Sequence, residues 1–319
     1  VGPVVMRVHV FLAILSAAVG VIGVLPAPFS RVLMLKDPPL SGDDVTVLQH
    51  LLLRSVGCGN VSTNGLYDTA TAKAVTCFQV ASGLSADGIF GNATAWMALG
   101  SLSSDGWKDD GQPASALGTY KYKLLLPVHK NRSIETVGTL LDANNRLLRT
   151  FPIRLHGHDA DAQGQGVSDV PWPDLTDDGC PDPSARQGCV GLNQFSTNGA
   201  TPTGLVEVDL NSPEDSAKLY GPYPITRFVR GIEGNAAFLV PQIRNGVLLH
   251  TGDWANYSEW TEGSMMPNSA GCVHSYPADI EAIWKLLVEE CGVDVRPNTD
   301  GALPYPYKPQ GIASVFELE

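Results

Sequence analysis

Apolar and polar positions change their period twice along these 319 residues, and the changes divide the chain. Residues 10–25 form an apolar run behind Arg7, and Pro26, Ala27 and Pro28 follow. One positive charge, an apolar stretch and small or turn-forming residues predict a secretory signal over 1–29, with Met6 as its natural start. An uncleaved anchor is the rival, because the run approaches the length of a spanning helix. From residue 40 to 99 the apolar positions recur three and four apart. Val45, Leu48, Leu51 and Leu52 lie behind Ser41-Gly42-Asp43-Asp44, and Ala72, Val75 and Phe78 lie behind Asp68 or Thr69 as cap. A last helix runs from Thr94 through Trp96 to Leu99, and Asn64-Gly65 and Asp87-Gly88 mark the turns between helices. The pattern predicts a small three-helix domain over 38–100, without an evident internal repeat.

Residues 101–118 are rich in Ser, Asp, Gly, Pro and Gln and read as a flexible linker. Beyond them the period shortens to two. Strands are expected at 120–128, 137–141, 146–153, 206–210, 226–232, 237–240 and 246–250, with a hairpin turn at Asp142-Ala143-Asn144-Asn145. One helix is expected at 277–290, with Pro277 in its first turn and Gly292 just past its end, and a last strand at 293–296. This gives a mostly-β domain over 119–300 and leaves 301–319 as a C-terminal tail.

Charge narrows the partners. A net charge of -12 and a pI near 4.9 leave no basic face to neutralise a phosphate backbone, which argues against nucleic acid. Apart from the N-terminal run no stretch is apolar for long enough to cross a bilayer, so after signal cleavage no stable membrane association is expected. The six cysteines of a secreted chain allow fifteen full pairings. Spacing suggests two local staples, Cys58 to Cys77 and Cys180 to Cys189. It leaves Cys272 and Cys291 either free or joined in a third bridge.

The chemistry concentrates between His250 and His274. A histidine is followed, after eighteen intervening residues, by Ser269-Ala270-Gly271-Cys272-Val273-His274, a thiol behind a glycine. A thiol near its ordinary pKa of about 8.5 is only a few per cent ionised at neutral pH, so it needs a nearby base or a positive field to act as a nucleophile. His250 can be that base, and a sharp turn at Gly271 can aim amide N–H groups at a forming oxyanion. The helix that opens near Pro277 would add a modest positive field.

This stretch resembles the signature of the L,D-transpeptidase (YkuD-like) catalytic-domain family, a histidine followed by Ser/Thr-x-Gly-Cys. Thr201-Pro202-Thr203-Gly204 is similar to that family's Thr-Pro-x-Gly. Two positions depart from it: Ala270 stands where His is common, and His274 where Arg or Asn is usual. The resemblance implies a β-sandwich-like fold and ping-pong acyl transfer on peptidoglycan stem peptides. In it Cys272 is the nucleophile, His250 the base, the Thr251 carbonyl its orienter and Gly271 part of the oxyanion turn. Ser269, His274, Trp254 and Tyr257 would border the substrate, the last two on a capping segment. Water in place of the acceptor amine would make the site an L,D-carboxypeptidase.

Residues 44–94 carry a second resemblance. Asp44-Val45-x-x-Leu48-Gln49, Gly65-x-Tyr67, Ala74-Val75-x-x-Phe78-Gln79, Gly83-Leu84 and Asp87-Gly88-Ile89-x-Gly91-x-x-Thr94 are similar to the three-helix peptidoglycan-binding domain. Peptidoglycan is therefore the implied partner, and the implied location is extracytoplasmic: secreted, or in the periplasm or wall of a bacterium. Two rivals stand beside this reading. His156, His158, Asp159 and Asp161 have metal-ligand types, but no His-Glu-x-x-His helix accompanies them, so neither a metal nor a cofactor is expected. An inert wall-binding protein with Cys272 locked to Cys291 is the alternative function.

Overall fold

The computed structural model describes residues 25–129, 132, 134–155, 157, 193–196, 199–252, 266, 269–299 and 301–318. Residues 1–24 of the expected signal, the pair Cys180 and Cys189, and the cluster His156, His158, Asp159 and Asp161 lie outside them. Among the described residues no helix is long and apolar enough to cross a membrane.

Three helices form the N-terminal module: α1 (Asp43–Leu52), α2 (Thr69–Ala81) and α3 (Asn92–Leu102). Asp68 caps α2, its carboxylate accepting from the Thr71 N–H at 2.8 Å. The module holds a repeat that the sequence did not reveal. Gln49 in α1 donates to Asn64 Oδ1, Leu66 O and Thr71 Oγ1, and accepts from the Gly65 N–H. Gln79 in α2 makes the same set with Asp87 Oδ1, Ile89 O, Thr94 Oγ1 and the Gly88 N–H. Gly65 and Gly88 both sit at φ 70°, a left-handed turn open to glycine. An insertion carrying Cys58 lengthens the first unit and hides the repeat from a fixed-period search. The disulfide between Cys58 and Cys77 closes this insertion, as expected, and a loop of that size contributes about 3 kcal/mol.

Two domain boundaries move. The expected signal boundary at 29 falls inside packed structure: the Phe29 ring lies 4.7 Å from Phe90, and Leu33 pairs with Phe90 through two backbone hydrogen bonds. Residues 101–118 are not a free tether. Within this segment Trp107 Nε1 donates to Ser314 Oγ, and the Asp105 carboxylate accepts from Thr203 Oγ1 and the Asn235 N–H. The buried Lys123 ammonium reaches Asp109 at 2.9 Å, and α4 (Ala114–Leu117) packs Ala114 on Leu205 and Ile312. Polar composition resembled a linker because these side chains satisfy backbone and charge partners that are distant in sequence.

The second half is built on eight strands: β1 (Tyr122–Val128), β2 (Thr136–Asp142), β3 (Leu147–Ile153), β4 (Gly204–Asn211), β5 (Ile225–Gly231), β6 (Leu248–His250), β7 (Val273–His274) and β8 (Gly311–Glu317). They form one sheet in the order β3-β2-β1-β8-β4-β5-β6-β7. Arg154, just past β3, exchanges two backbone hydrogen bonds with His274 of β7, so the two edge strands meet and the sheet closes on itself. The mostly-β expectation holds, and α5 (Ala217–Tyr220), α6 (Ala236–Leu239) and α7 (Pro277–Glu289) decorate the sheet.

Three expectations are corrected. The supposed tail contains β8, which lies between β1 and β4 at the centre of the sheet and is buried from Gly311 to Val315. Residues 237–239 are helical, within α6, because an apolar run that short carries no decisive period. Residues 293–296 contribute a single bridge, Asn211 to Arg296, rather than a strand. The module also docks on this half. The His50 ring stacks on Phe238 at 3.9 Å and 4° between planes, and Arg54 bonds to Asn235 Oδ1 and Leu102 O.

Candidate active site

β6 and β7 run parallel with Leu249 opposite Val273 and His250 opposite His274. Side chains alternate along strands, so Leu248 and His250 share a face with Cys272 and His274. The register therefore brings a histidine and a cysteine twenty-two positions apart onto neighbouring strands, in diagonal positions. Cys272 packs with Leu248, Ile225 and Tyr220, and the Tyr220 ring lies 5.0 Å from His250. Tyr220 closes α5, and the turn behind it is tight: a Cβ at Gly221 would stand 2.5 Å from Thr251 Cγ2.

His250 Nδ1 lies 2.6 Å from the Thr251 carbonyl. A carbonyl can only accept, so that nitrogen carries the proton and Nε2 keeps its lone pair. The His274 ring meets His250 edge to face at 4.8 Å. Burial pushes His250 down to about 4, against the favourable Thr251 contact, so the imidazole is neutral at neutral pH.

Cys272 is a free thiol, as is Cys291, so the third bridge of the inert alternative does not form in this structure. Cys272 is nonetheless not the open, ionised thiolate the motif suggests. It is 8 % exposed, its thiol lies 3.6 Å from the Gly246 carbonyl, and burial pushes it up to about 11. A Leu248 backbone hydrogen bond, Arg244 and Arg227 pull in the other direction, and Glu214 adds to burial. The resting pair is a neutral thiol beside a neutral imidazole.

The turn before Cys272 is held from within. Gly271 sits at φ 98°, its N–H donates to Ser269 Oγ at 3.1 Å, and Ser269 Oγ donates to Cys272 O at 2.7 Å. The Ser269 hydroxyl holds the loop together, and the Gly271 N–H is engaged within it. Thr201 Oγ1 donates to Gly271 O at 2.8 Å, joining the Thr-Pro-x-Gly segment to the thiol turn across seventy positions. Trp254 and Tyr257 lie outside the described residues. Among those residues no group of three or more His, Cys, Asp or Glu side chains could hold a metal ion.

Two residues that motif reading passed over act on the thiol. Arg244 reaches the turn from its other side, and Arg227 binds Asn211, Asn298 and Glu214 within a buried cluster. No local pattern marks either arginine. The only hint of Arg244 is that the motif position beside it is a glycine.

Comparison with known families matches residues 41–96 to the peptidoglycan binding domain. Comparison with curated proteins returned no match. Among solved structures, an L,D-transpeptidase (Yku) from Stackebrandtia nassauensis aligns at 15% identity and TM-score 0.28, covering 86% of this chain and 92% of its own. A fused Zn-dependent amidase/peptidase/peptidoglycan-binding domain-containing protein from Clostridium acetobutylicum ATCC 824 aligns at 16% and TM-score 0.24, covering 89% and 99%. TM-scores this low carry no argument about this chain, so the thiol site rests on its own geometry. Residues 41–96, with their paired glutamine-held turns, form a domain of the peptidoglycan binding family.

Proposed function

We propose that the β-rich half is a cysteine acyltransferase of the L,D-transpeptidase kind, acting on peptidoglycan stem peptides in an extracytoplasmic setting, with the N-terminal module holding it to the polymer. The observation that carries this reading is the β6/β7 register, which sets a free thiol and an oriented imidazole on one face. Diagonal neighbours on a sheet face lie about 7–8 Å apart at Cα, within the combined reach of the two side chains.

A neutral resting pair favours proton transfer in step with attack. As Cys272 Sγ bonds to the acyl carbonyl carbon of the third stem residue, its proton passes to His250 Nε2. The carbonyl oxygen becomes an oxyanion facing the Cys272 N–H. Collapse breaks the C–N bond to D-alanine, whose amine takes the proton from His250 and departs. The side-chain amine of a second stem then attacks the thioester and gives its proton to His250, and the sulfur leaves and recovers a proton. The Thr251 carbonyl keeps the imidazole in the tautomer that can do this twice.

Intact-protein mass spectrometry after incubation with a tetrapeptide stem or a carbapenem tests the reading. The native chain gains one acyl group, and Cys272→Ala gains none while melting as a folded protein. An adduct that survives the substitution excludes Cys272 as the nucleophile.

A further inference from the structure

We propose that Arg244 is a positioning residue for Cys272: a fixed, buried cation that shapes the turn carrying the thiol and offsets the negative charge that forms there during acyl transfer. This rests on the reading of Cys272 as a nucleophile and adds to it a residue outside the motif.

Arg244 is 1 % exposed, in the turn that leads from α6 into β6. Its Nη1 donates to Gln194 O at 2.8 Å and Ala200 O at 2.9 Å, and its Nη2 to Gly199 O at 2.7 Å and Ala270 O at 3.3 Å. One planar group thus ties Gln194, Gly199 and Ala200 to the residue two before the thiol. The fit is close on the thiol side: a Cβ at Gly271 would stand 1.9 Å from Arg244 Nη2 and 2.6 Å from Gly199 O. Glycine is required there both by its left-handed φ and by the guanidinium.

Charge gives the second argument. All four acceptors are neutral carbonyls. A buried guanidinium without a carboxylate against it is costly, and native proteins pair such charges or use them. Among the described residues its charged surroundings do not supply a counter-ion. Arg132, which donates to Thr201 O at 3.1 Å on the same loop, disfavours the charge on Arg244, and Glu214 is engaged by Arg227. Among the described residues the one anion that would favour Arg244 is a Cys272 thiolate, and the coupling is reciprocal, with Arg244 and Arg227 lowering the thiol. Tyr220 also faces the sulfur, and its phenol is pushed up by burial and by that same thiolate. The site is therefore built for an anion absent from the resting state and present at the sulfur and the adjacent oxyanion during the reaction.

The test uses the full chain, Arg244→Met and Arg244→Lys, and two readouts. Iodoacetamide alkylation of Cys272, located by peptide mass spectrometry and followed from pH 6 to 11, reports the thiol without any peptidoglycan substrate. Stem-peptide acylation reports the rate constant and the half-saturating concentration. Removing the charge in Arg244→Met raises the thiol pKa by about one unit, which slows alkylation about tenfold below the pKa. Arg244→Lys keeps the charge but not the planar fork. Its alkylation profile stays near the native one, while the acylation rate constant falls about ten- to a hundredfold at an unchanged half-saturating concentration.

Identical alkylation profiles in the native chain and Arg244→Met overturn the proposal, and so does a profile displaced equally by Met and Lys. If Arg244→Met does not fold, Arg244→Lys decides alone: a native profile with slowed acylation supports the proposal, and any other combination overturns it. Should the native chain form no acyl adduct at all, the transpeptidase reading falls, while the alkylation profiles still decide whether Arg244 sets the thiol.

Discussion

The N-terminal module and the β-rich half solve the same problem at different ranges. In the module each buried glutamine finds its partners 8 to 22 positions away, in the turn and helix that follow it. In the β-rich half the central pairing joins Tyr122 to Gly311, and the closing bridge joins Arg154 to His274. A fold made of neighbouring contacts repeats itself and tolerates insertion, as the Cys58 loop shows. A fold made of distant contacts depends on the last strand of the chain. It also brings reactive groups together that no local pattern would join.

The largest expected effect breaks this contrast directly. Ending the chain after Gln310 removes β8 from between β1 and β4, and the sheet loses its centre. Far-UV circular dichroism should show the β contribution lost, and Cys272 should then be alkylated at the rate of an ordinary exposed thiol. Retention of the slow, buried behaviour would mean that β8 is dispensable.

Next come the paired glutamines. Gln49→Leu and Gln79→Leu each leave a glycine N–H and a turn carbonyl without their partner, at a cost of about 3 kcal/mol apiece. Denaturant midpoints should fall by similar amounts for the two. A strongly unequal pair would show that the repeat is geometric rather than energetic.

The smallest effect compares two imidazoles, the half-buried His50 at the docking surface and the buried His250 at the site. Burial pushes both down to about 4, and Arg54 adds to the shift at His50. A depressed folded pKa gives stability that is present above about 6.5 and lost as pH falls toward 4, because the unfolded chain takes up protons first. Melting temperature should drop across that window, and His50→Gln and His250→Gln should each flatten part of the slope. An unchanged slope in both variants would place the acid sensitivity elsewhere. At the alkaline end the signs reverse: Cys272 and Cys291 are both raised to about 11, so their contribution is lost as pH rises from about 9 toward 11.

Much of this was legible in the chain. The helical period around Leu48 and Val75, the turn glycines 65 and 88, the cap at Asp68 and the Pro277 to Gly292 limits of α7 follow from local rules and appear where those rules put them. The thiol-behind-glycine motif and its upstream histidine were legible for the same reason, since a motif is a local pattern.

What the sequence determined by itself is therefore the set of pieces: three helices, a run of strands, one staple, and a histidine and a cysteine with the chemistry to act together. Only the tertiary structure decided that a supposed tail is the central strand, that a polar stretch is a packed brace, and that Arg244 stands behind the thiol turn. The reason is physical. Side-chain period records which face of an element is buried but not which element buries it. The state of a thiol depends on the dielectric and charges around it, and residues from separate parts of the chain supply these.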